Sequence, residues 1–332
     1  MKSTRLLWKF TLVTALAAAV TGQTLQAARM PPAPPVAWLA LIGEYGRPVD
    51  RSFVLERGGK LYFRTHDREH LISTGANLQI EGERATFVRR DGAVTELRVG
   101  KAGYPRLPFS DVAGGVFRIH PLQPVPRLIA AALRKQPPRE SGHVLPADLV
   151  ELTSLDRSIK LDIRYATRRN FLSTPVYSQA NAYLQRPAAE AVVRASAMLK
   201  PFGFGLLVHD AYRPWYVTDV FWQATPVPLR KFVADPAQGS RHNRGCAVDI
   251  TLYDLATGRE VPMTGVYDEM SDRSYADYPG GTSRQRWLRQ LLRQAMEKVG
   301  FEVYEFEWWH FDYQGWQRYP ILNLRFEEIG KN

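Results

Sequence analysis

Residues 239–250 read GSRHNRGCAVDI, and the alternation that begins inside this stretch decides how the chain is read. From 246 to 253, CAVDITLY, a strand places Val248, Ile250 and Leu252 on one side and Ala247, Asp249, Thr251 and Tyr253 on the other. The aliphatic side can fill a core. Asp249 then stands mid-strand on the opposite face, where a buried carboxylate without a partner is costly. It needs a cation, an arginine or water. Gly245 permits a turn that lets His242 approach the same point. The pair is a candidate half of a metal site; taken alone, it also reads as a surface histidine and a salt-bridged aspartate.

A second half lies at 305–312, EFEWWHFD. On a straight strand Glu307 and His310, three apart, point to opposite faces. Both serve one site only if the strand ends or bulges near Trp308. Two histidines and one carboxylate form a common catalytic zinc set that leaves a fourth position for water. A glutamate that is not a ligand can take a proton from that water. HDAYRPW, 209–215, adds Arg213 in a loop directly after an apolar run, either an oxyanion donor or a surface ion pair.

The chain has 332 residues, enough for two domains. With 45% hydrophobic and 23% charged residues it belongs with globular rather than disordered chains. Residues 1–28 have the layout of a secretory signal peptide: Lys2, Arg5 and Lys9, an uncharged apolar run from Phe10 to Val20, then Ala27 and Ala28. The apolar run is shorter than the ~20 residues that span a bilayer. The expectation is an exported chain, periplasmic or secreted, with no transmembrane span after cleavage. The formal charge of +11 loses three positive charges with that segment, leaving +8. Such a balance suits an acidic surface or a wall polymer. The lysines and arginines are scattered, without a basic run interleaved with aromatics, so no nucleic-acid partner is expected. The single cysteine, Cys246, excludes an internal disulfide framework and reads as a small buried hydrophobe.

Composition divides the remainder. Residues 29–36 form a proline linker. Residues 37–110 are all β, with Gly58-Gly59 and Asp91-Gly92 turning two hairpins. This segment resembles the small β-barrel appended to some penicillin-binding-type serine hydrolases. It carries no clustered histidines, cysteines or carboxylates and reads as an accessory or docking domain. Residues 111–141 are a proline-containing connector with one short helical run. From 142 to 332 the pattern is mixed. SIKLDIRYAT, 158–167, alternates as a half-buried strand. RPAAEAVVRASAMLK and SRQRWLRQLLRQAMEKV are helices, the second with an apolar face of Trp287, Leu288, Leu291, Leu292, Ala295, Met296 and Val299. EVYEFEWWHFDY reads as one final strand.

LDIRYAT, LLVHDAYRPW, SRHNRGCAVDITLY, VPMTGVYDEMSDRS and GFEVYEFEWWH occur in this order. Together they resemble the zinc D-alanyl-D-alanine dipeptidases, the family that includes the vancomycin-resistance dipeptidase. The resemblance covers roughly residues 145 to 325. It implies an α+β class: a hedgehog-like zinc D,D-peptidase domain with a central antiparallel sheet and flanking helices, preceded by the small all-β domain. It implies one zinc ion on His242, Asp249 and His310, Glu307 as general base, and Arg213 at the transition state. Tyr165, Ser240 and Asp268 match groups near the bound dipeptide, with Asp268 holding the substrate's free ammonium. Two positions depart from the family's pattern: Tyr275, where histidine is frequent, and Cys246, where a small residue is usual. The implied activity is hydrolysis of D-alanyl-D-alanine; the signal-peptide layout, a departure from the cytoplasmic resistance enzymes, moves the expected site of action to the cell envelope, in peptidoglycan turnover or recycling, with wall fragments as candidate partners of the β domain. The rival readings are a zinc carboxypeptidase or endopeptidase on longer wall peptides, and a peptidoglycan-binding protein without catalysis.

Overall fold

The computed structural model describes residue 25 and residues 29–330, apart from 75–76, 108–111, 114 and 143–144. The signal-peptide reading of 1–28 therefore falls, save Leu25, outside the described residues. Among the described residues no helix is long and apolar enough to cross a membrane.

Eight strands follow one another in sequence and in space: β1 (Gly43–Arg47), β2 (Asp50–Arg57), β3 (Lys60–Arg64), β4 (Glu69–Thr74), β5 (Leu78–Ile80), β6 (Glu83–Arg90), β7 (Ala93–Val99) and β8 (Ala102–Pro105). All the pairs are antiparallel. Both expected hairpins are present. Their turns place Gly58, Gly59, Asp91 and Gly92 at positive φ, the twist that tight hairpins require. The sheet curls until its ends meet: Tyr45 bridges Arg106, and the Leu107 N–H donates to the Glu44 carbonyl at 2.9 Å. Tyr45, Val54, Leu61, Phe63, Ile72 and Leu97 fill the interior.

The C-terminal part is built on five strands: β9 (Lys160–Leu161), β10 (Phe204–Asp210), β11 (Ala247–Asp254), β12 (Phe301–Tyr304) and β13 (Glu307–Tyr313), in the spatial order β9-β10-β11-β13-β12. The sheet is mixed rather than wholly antiparallel, because β9 runs parallel to β10 while the other pairs are antiparallel. β9 is also far shorter than the alternation over 158–167 implied. After Leu161 the Asp162 N–H still donates to Val208, but the chain then winds into a 3₁₀ turn at Arg164–Ala166. The alternation of Ile159, Leu161 and Ile163 marks burial against the core rather than a longer strand, since only Lys160 and Leu161 pair with β10.

Four helices of eight or more residues complete this part: α1 (Val125–Ala132), α2 (Arg186–Leu199), α3 (Trp215–Ala224) and α4 (Ser283–Glu297). Pro187 opens α2, where the missing N–H is harmless. A capping box of Thr282 and Gln285 opens α4, and Gly300, at φ 96°, follows its end. α2 and α4 pack on each other. Their buried faces share one core with Val248, Ile250 and Leu252, as the alternation of β11 requires. Each fully buried leucine there contributes about 2 kcal/mol.

The terminal aromatic run is a hairpin and not one strand. Glu305 and Phe306 form the turn between β12 and β13. Tyr304 pairs with Glu307, yet the next pair is Val303 with Phe311, so Trp308, Trp309 and His310 bulge out of register with β12. This irregularity resolves the parity conflict between Glu307 and His310.

Candidate metal centre and active site

Asp249 on β11 lies directly opposite His310 on β13. His242 comes from the 3₁₀ turn Arg241–Arg244, which Ser240 caps by accepting the His242 N–H at 3.2 Å. Gly245 follows at φ 65°, where a Cβ would come 2.5 Å from the Leu149 side chain. No other residue makes this turn without displacing a neighbour. Asn243 ties the turn to the next loop, donating to the Arg213 carbonyl and to Thr218 Oγ1, both at 2.9 Å. The Arg213 N–H returns a bond to the His242 carbonyl at 3.1 Å.

Three atoms converge. His242 Nε2 is 3.1 Å from His310 Nδ1 and 3.3 Å from Asp249 Oδ1, and His310 Nδ1 is 3.0 Å from the same Oδ1. The outer atom of each group is occupied. His242 Nδ1 lies 2.6 Å from the Ala211 carbonyl, which can only accept, so Nδ1 carries the proton. His310 Nε2 lies 2.9 Å from the Asp312 carboxylate, and Tyr267 donates to Asp249 Oδ2 at 2.9 Å. In the neutral imidazoles, then, both inward nitrogens present lone pairs, and so does the carboxylate. Three lone-pair donors this close and this buried demand a cation. Ligand atoms around a tetrahedral zinc ion stand about 3.3 Å apart, which these separations match. Zinc fits this set of two imidazoles and one carboxylate.

Glu307 Oε2 is 3.7 Å from His310 Nδ1, beside the triad rather than in it. Burial, opposed by His310 and assisted by the Asp249 charge, pushes its carboxyl up to about 7. Asp249 behaves oppositely. Without a metal, burial alone would raise it, but inward-facing protons on His242 and His310, the protons a bound cation would displace, outweigh that and hold it well below the usual carboxylate range.

Arg213 is buried and stacks over the Phe221 ring at 4.8 Å. Its Nε and Nη2 both donate to Asp210 Oδ2, at 3.0 and 2.8 Å, and Tyr177 donates to the other Asp210 oxygen at 2.7 Å. Two of its five N–H groups are thus spent on orientation, and Arg213 also lines a small pocket of about 120 Å³. That pocket is also lined by the three convergent groups, Glu307, Tyr165, Ser240 and Asp268. Tyr165 donates its hydroxyl to Asp268 Oδ1 at 2.8 Å, so it holds Asp268 from behind. Asp268 Oδ2 is buried and accepts no hydrogen bond. Burial, then the Asp249 charge, raises this carboxyl well above the usual range. Its backbone sits at φ 61°, a strained conformation for an aspartate.

All eight sequence-proposed residues therefore meet at one pocket. Reading from sequence missed Asp210, Tyr267 and Asp312, which orient Arg213, Asp249 and His310. Asp210 and Asp312 each lie within three residues of the group they hold, a spacing that could have marked them; Tyr267 is brought in by a long loop and has no such signal. Cys246 is buried, and burial pushes its thiol up to about 12, which rules out a thiolate nucleophile near neutral pH.

A mixed α/β sheet carrying a His-Asp-His triad with an adjacent glutamate defines a zinc metallopeptidase. The family model described as D-ala-D-ala dipeptidase matches residues 146–329, and the chain belongs to that peptidase family. It is 34% identical over 179 residues to the D-alanyl-D-alanine dipeptidase of Escherichia coli K12, a match covering 54% of this chain and 91% of that one. The enzyme of the same name from Enterococcus faecium is 33% identical over 178 residues, 48% of this chain and 88% of the relative. That from Streptomyces coelicolor is 32% identical over 185 residues, 50% and 92% respectively.

Proposed function

We propose that the chain hydrolyses D-alanyl-D-alanine with zinc on His242, Asp249 and His310. The observation that carries this reading is the joining, in one small pocket, of the triad, Glu307 and a buried carboxylate oxygen without a partner on Asp268. That oxygen suits the ammonium of a free dipeptide; a longer chain has an uncharged amide at that point. Tyr165 keeps Asp268 in place, and Ser240, whose oxygen caps the His242 turn, still has a hydroxyl proton to donate to substrate.

Bound zinc would supply Lewis acidity to the attacking water and the scissile carbonyl. Glu307, in its ionised form, takes the proton from water and delivers it to the leaving amine. Arg213, fixed by Asp210, offers its free N–H groups to the developing oxyanion. Arg213→Ala is expected to keep its zinc and lose ~10²–10³ in kcat. Turnover within threefold of wild type in a folded, metal-loaded variant would remove Arg213 from this role.

The arrangement is taken as the hedgehog-like fold of zinc D,D-peptidases, with residues 37–110 as an accessory β domain that contacts wall fragments. The layout of residues 1–28 supports an exported enzyme acting in peptidoglycan turnover or recycling. The test is release of D-alanine by the purified mature protein from D-Ala-D-Ala and from its N-acetylated form, with and without chelator. Zinc-restorable release from the free dipeptide alone is expected. Equal cleavage of the blocked substrate would replace this reading with a carboxypeptidase acting on longer peptides.

A further inference from the structure

We infer that strands β1 and β2 clamp the loop that carries Asp268, so that Arg51, Glu44 and Glu56 are positioning residues for recognition of the substrate's ammonium group. The inference rests on the role given to Asp268 above. The family match begins at residue 146, so these strands lie outside it.

The loop between β11 and α4 spans 255–282. The N-terminal sheet grips its second half at three points. Arg51 donates to Asp272 Oδ2 at 2.8 Å and reaches Glu44 Oε2 at 3.4 Å. Glu44 Oε1 in turn accepts the Tyr278 hydroxyl at 2.9 Å, and the Phe53 ring meets the Tyr278 ring edge-on at 5.8 Å. Glu56 closes the far end. Its N–H donates to the Gly281 carbonyl at 3.2 Å, its Oε2 accepts the Ser283 N–H at 2.7 Å, and its carbonyl accepts from Arg286 at 2.6 Å. Glu56 is 2% exposed, so these bonds are shielded from competing water.

The grip reaches Asp268 through a short path. Asp272 opens the 3₁₀ turn Asp272–Ser274. Arg273, its neighbour, donates through Nε to Glu269 Oε1 at 2.7 Å, and Glu269 also accepts the Ser271 hydroxyl at 2.7 Å and the Val266 N–H at 3.1 Å. Asp268 sits between the two ends of this network at its strained φ. Such a conformation persists only where its surroundings over-determine it. The loop's internal bonds close the ring, and the N-terminal sheet fixes the ring against the rest of the molecule.

The test is the full mature chain carrying Arg51→Met with Glu44→Gln, and separately Glu56→Gln, each checked for zinc content and cooperative melting. The expected result is a KM for D-Ala-D-Ala raised about 10- to 100-fold with kcat nearly kept, and an equal loss of preference for the free over the N-acetylated dipeptide. Arg51→Lys, which keeps the cation, is expected to stay near the wild-type KM. Amide exchange over 266–275 is expected to accelerate while β10, β11 and β13 keep their protection. Unchanged exchange in that segment would overturn the clamp. Faster exchange with unchanged KM and preference would overturn its link to Asp268. If the unmodified protein releases no D-alanine, the dipeptidase reading fails, and the exchange measurement still decides whether the clamp exists.

Discussion

Glu307→Gln is expected to bind zinc as the wild type does and to lose ~10³–10⁴ in kcat. The glutamine keeps the side chain's volume and its place beside His310, 3.7 Å away, but cannot take a proton. General acid–base catalysis by one positioned group is worth ~10²–10⁴, and Glu307 serves twice, once toward water and once toward the leaving nitrogen. The pH profile adds a second signature. Glu307 must be ionised to act as a base, so kcat/KM rises with pH through its pKa and falls as the medium is acidified. Burial places that pKa at about 7 without metal, and the positive charge of bound zinc moves it lower. The acid limb is therefore expected at or below pH 7 and is expected to vanish in the residual activity of Glu307→Gln. A limb well above pH 7, or a glutamine variant within tenfold of wild type, would require another base.

Much of this site was legible in the sequence because its donors lie on short local patterns. The alternation of 246–253 put Asp249 opposite the aliphatic core, and β11 carries it so. Gly245 marked the turn that brings His242 round. The position of Glu307 could not be read the same way. Whether it shares a face with His310 depends on a bulge, and a bulge is set by cross-strand pairing with β12, which local periodicity does not report. The same blindness merged β12 and β13 into one strand: Glu305 and Phe306 are not typical turn residues, and tertiary pairing decided the reversal. β9 was overestimated because Ile159, Leu161 and Ile163 alternate for burial in the core, and burial by itself does not prolong the pairing with β10. Asp210, Tyr267 and Asp312 are ordinary polar residues until the fold aims them. Their function lies in what they hold in place, and that is a property of three dimensions only.

Asp249→Asn is expected to fold and to lose its zinc. The asparagine preserves shape and can still meet the Tyr267 hydroxyl, which now donates to Asp249 Oδ2. What disappears is the one negative charge among the three convergent groups. Protein zinc sites bind with about 10–16 kcal/mol, so one ligand of three carries roughly 3–5 kcal/mol, and affinity should fall by ~10²–10⁴. The two remaining imidazoles still present Nε2 of His242 and Nδ1 of His310 at 3.1 Å from each other, so occupancy becomes a matter of mass action rather than being abolished. Two measurements separate this variant from Glu307→Gln. After dialysis against a weak chelator, Asp249→Asn should hold little zinc, whereas Glu307→Gln should hold one equivalent. Added zinc should then restore part of the turnover of Asp249→Asn and none of that of Glu307→Gln. One tightly held equivalent of zinc in dialysed Asp249→Asn would show that the carboxylate is not a ligand, and the convergence of Asp249 with the two histidines would have to be explained as a buried ion-pair network.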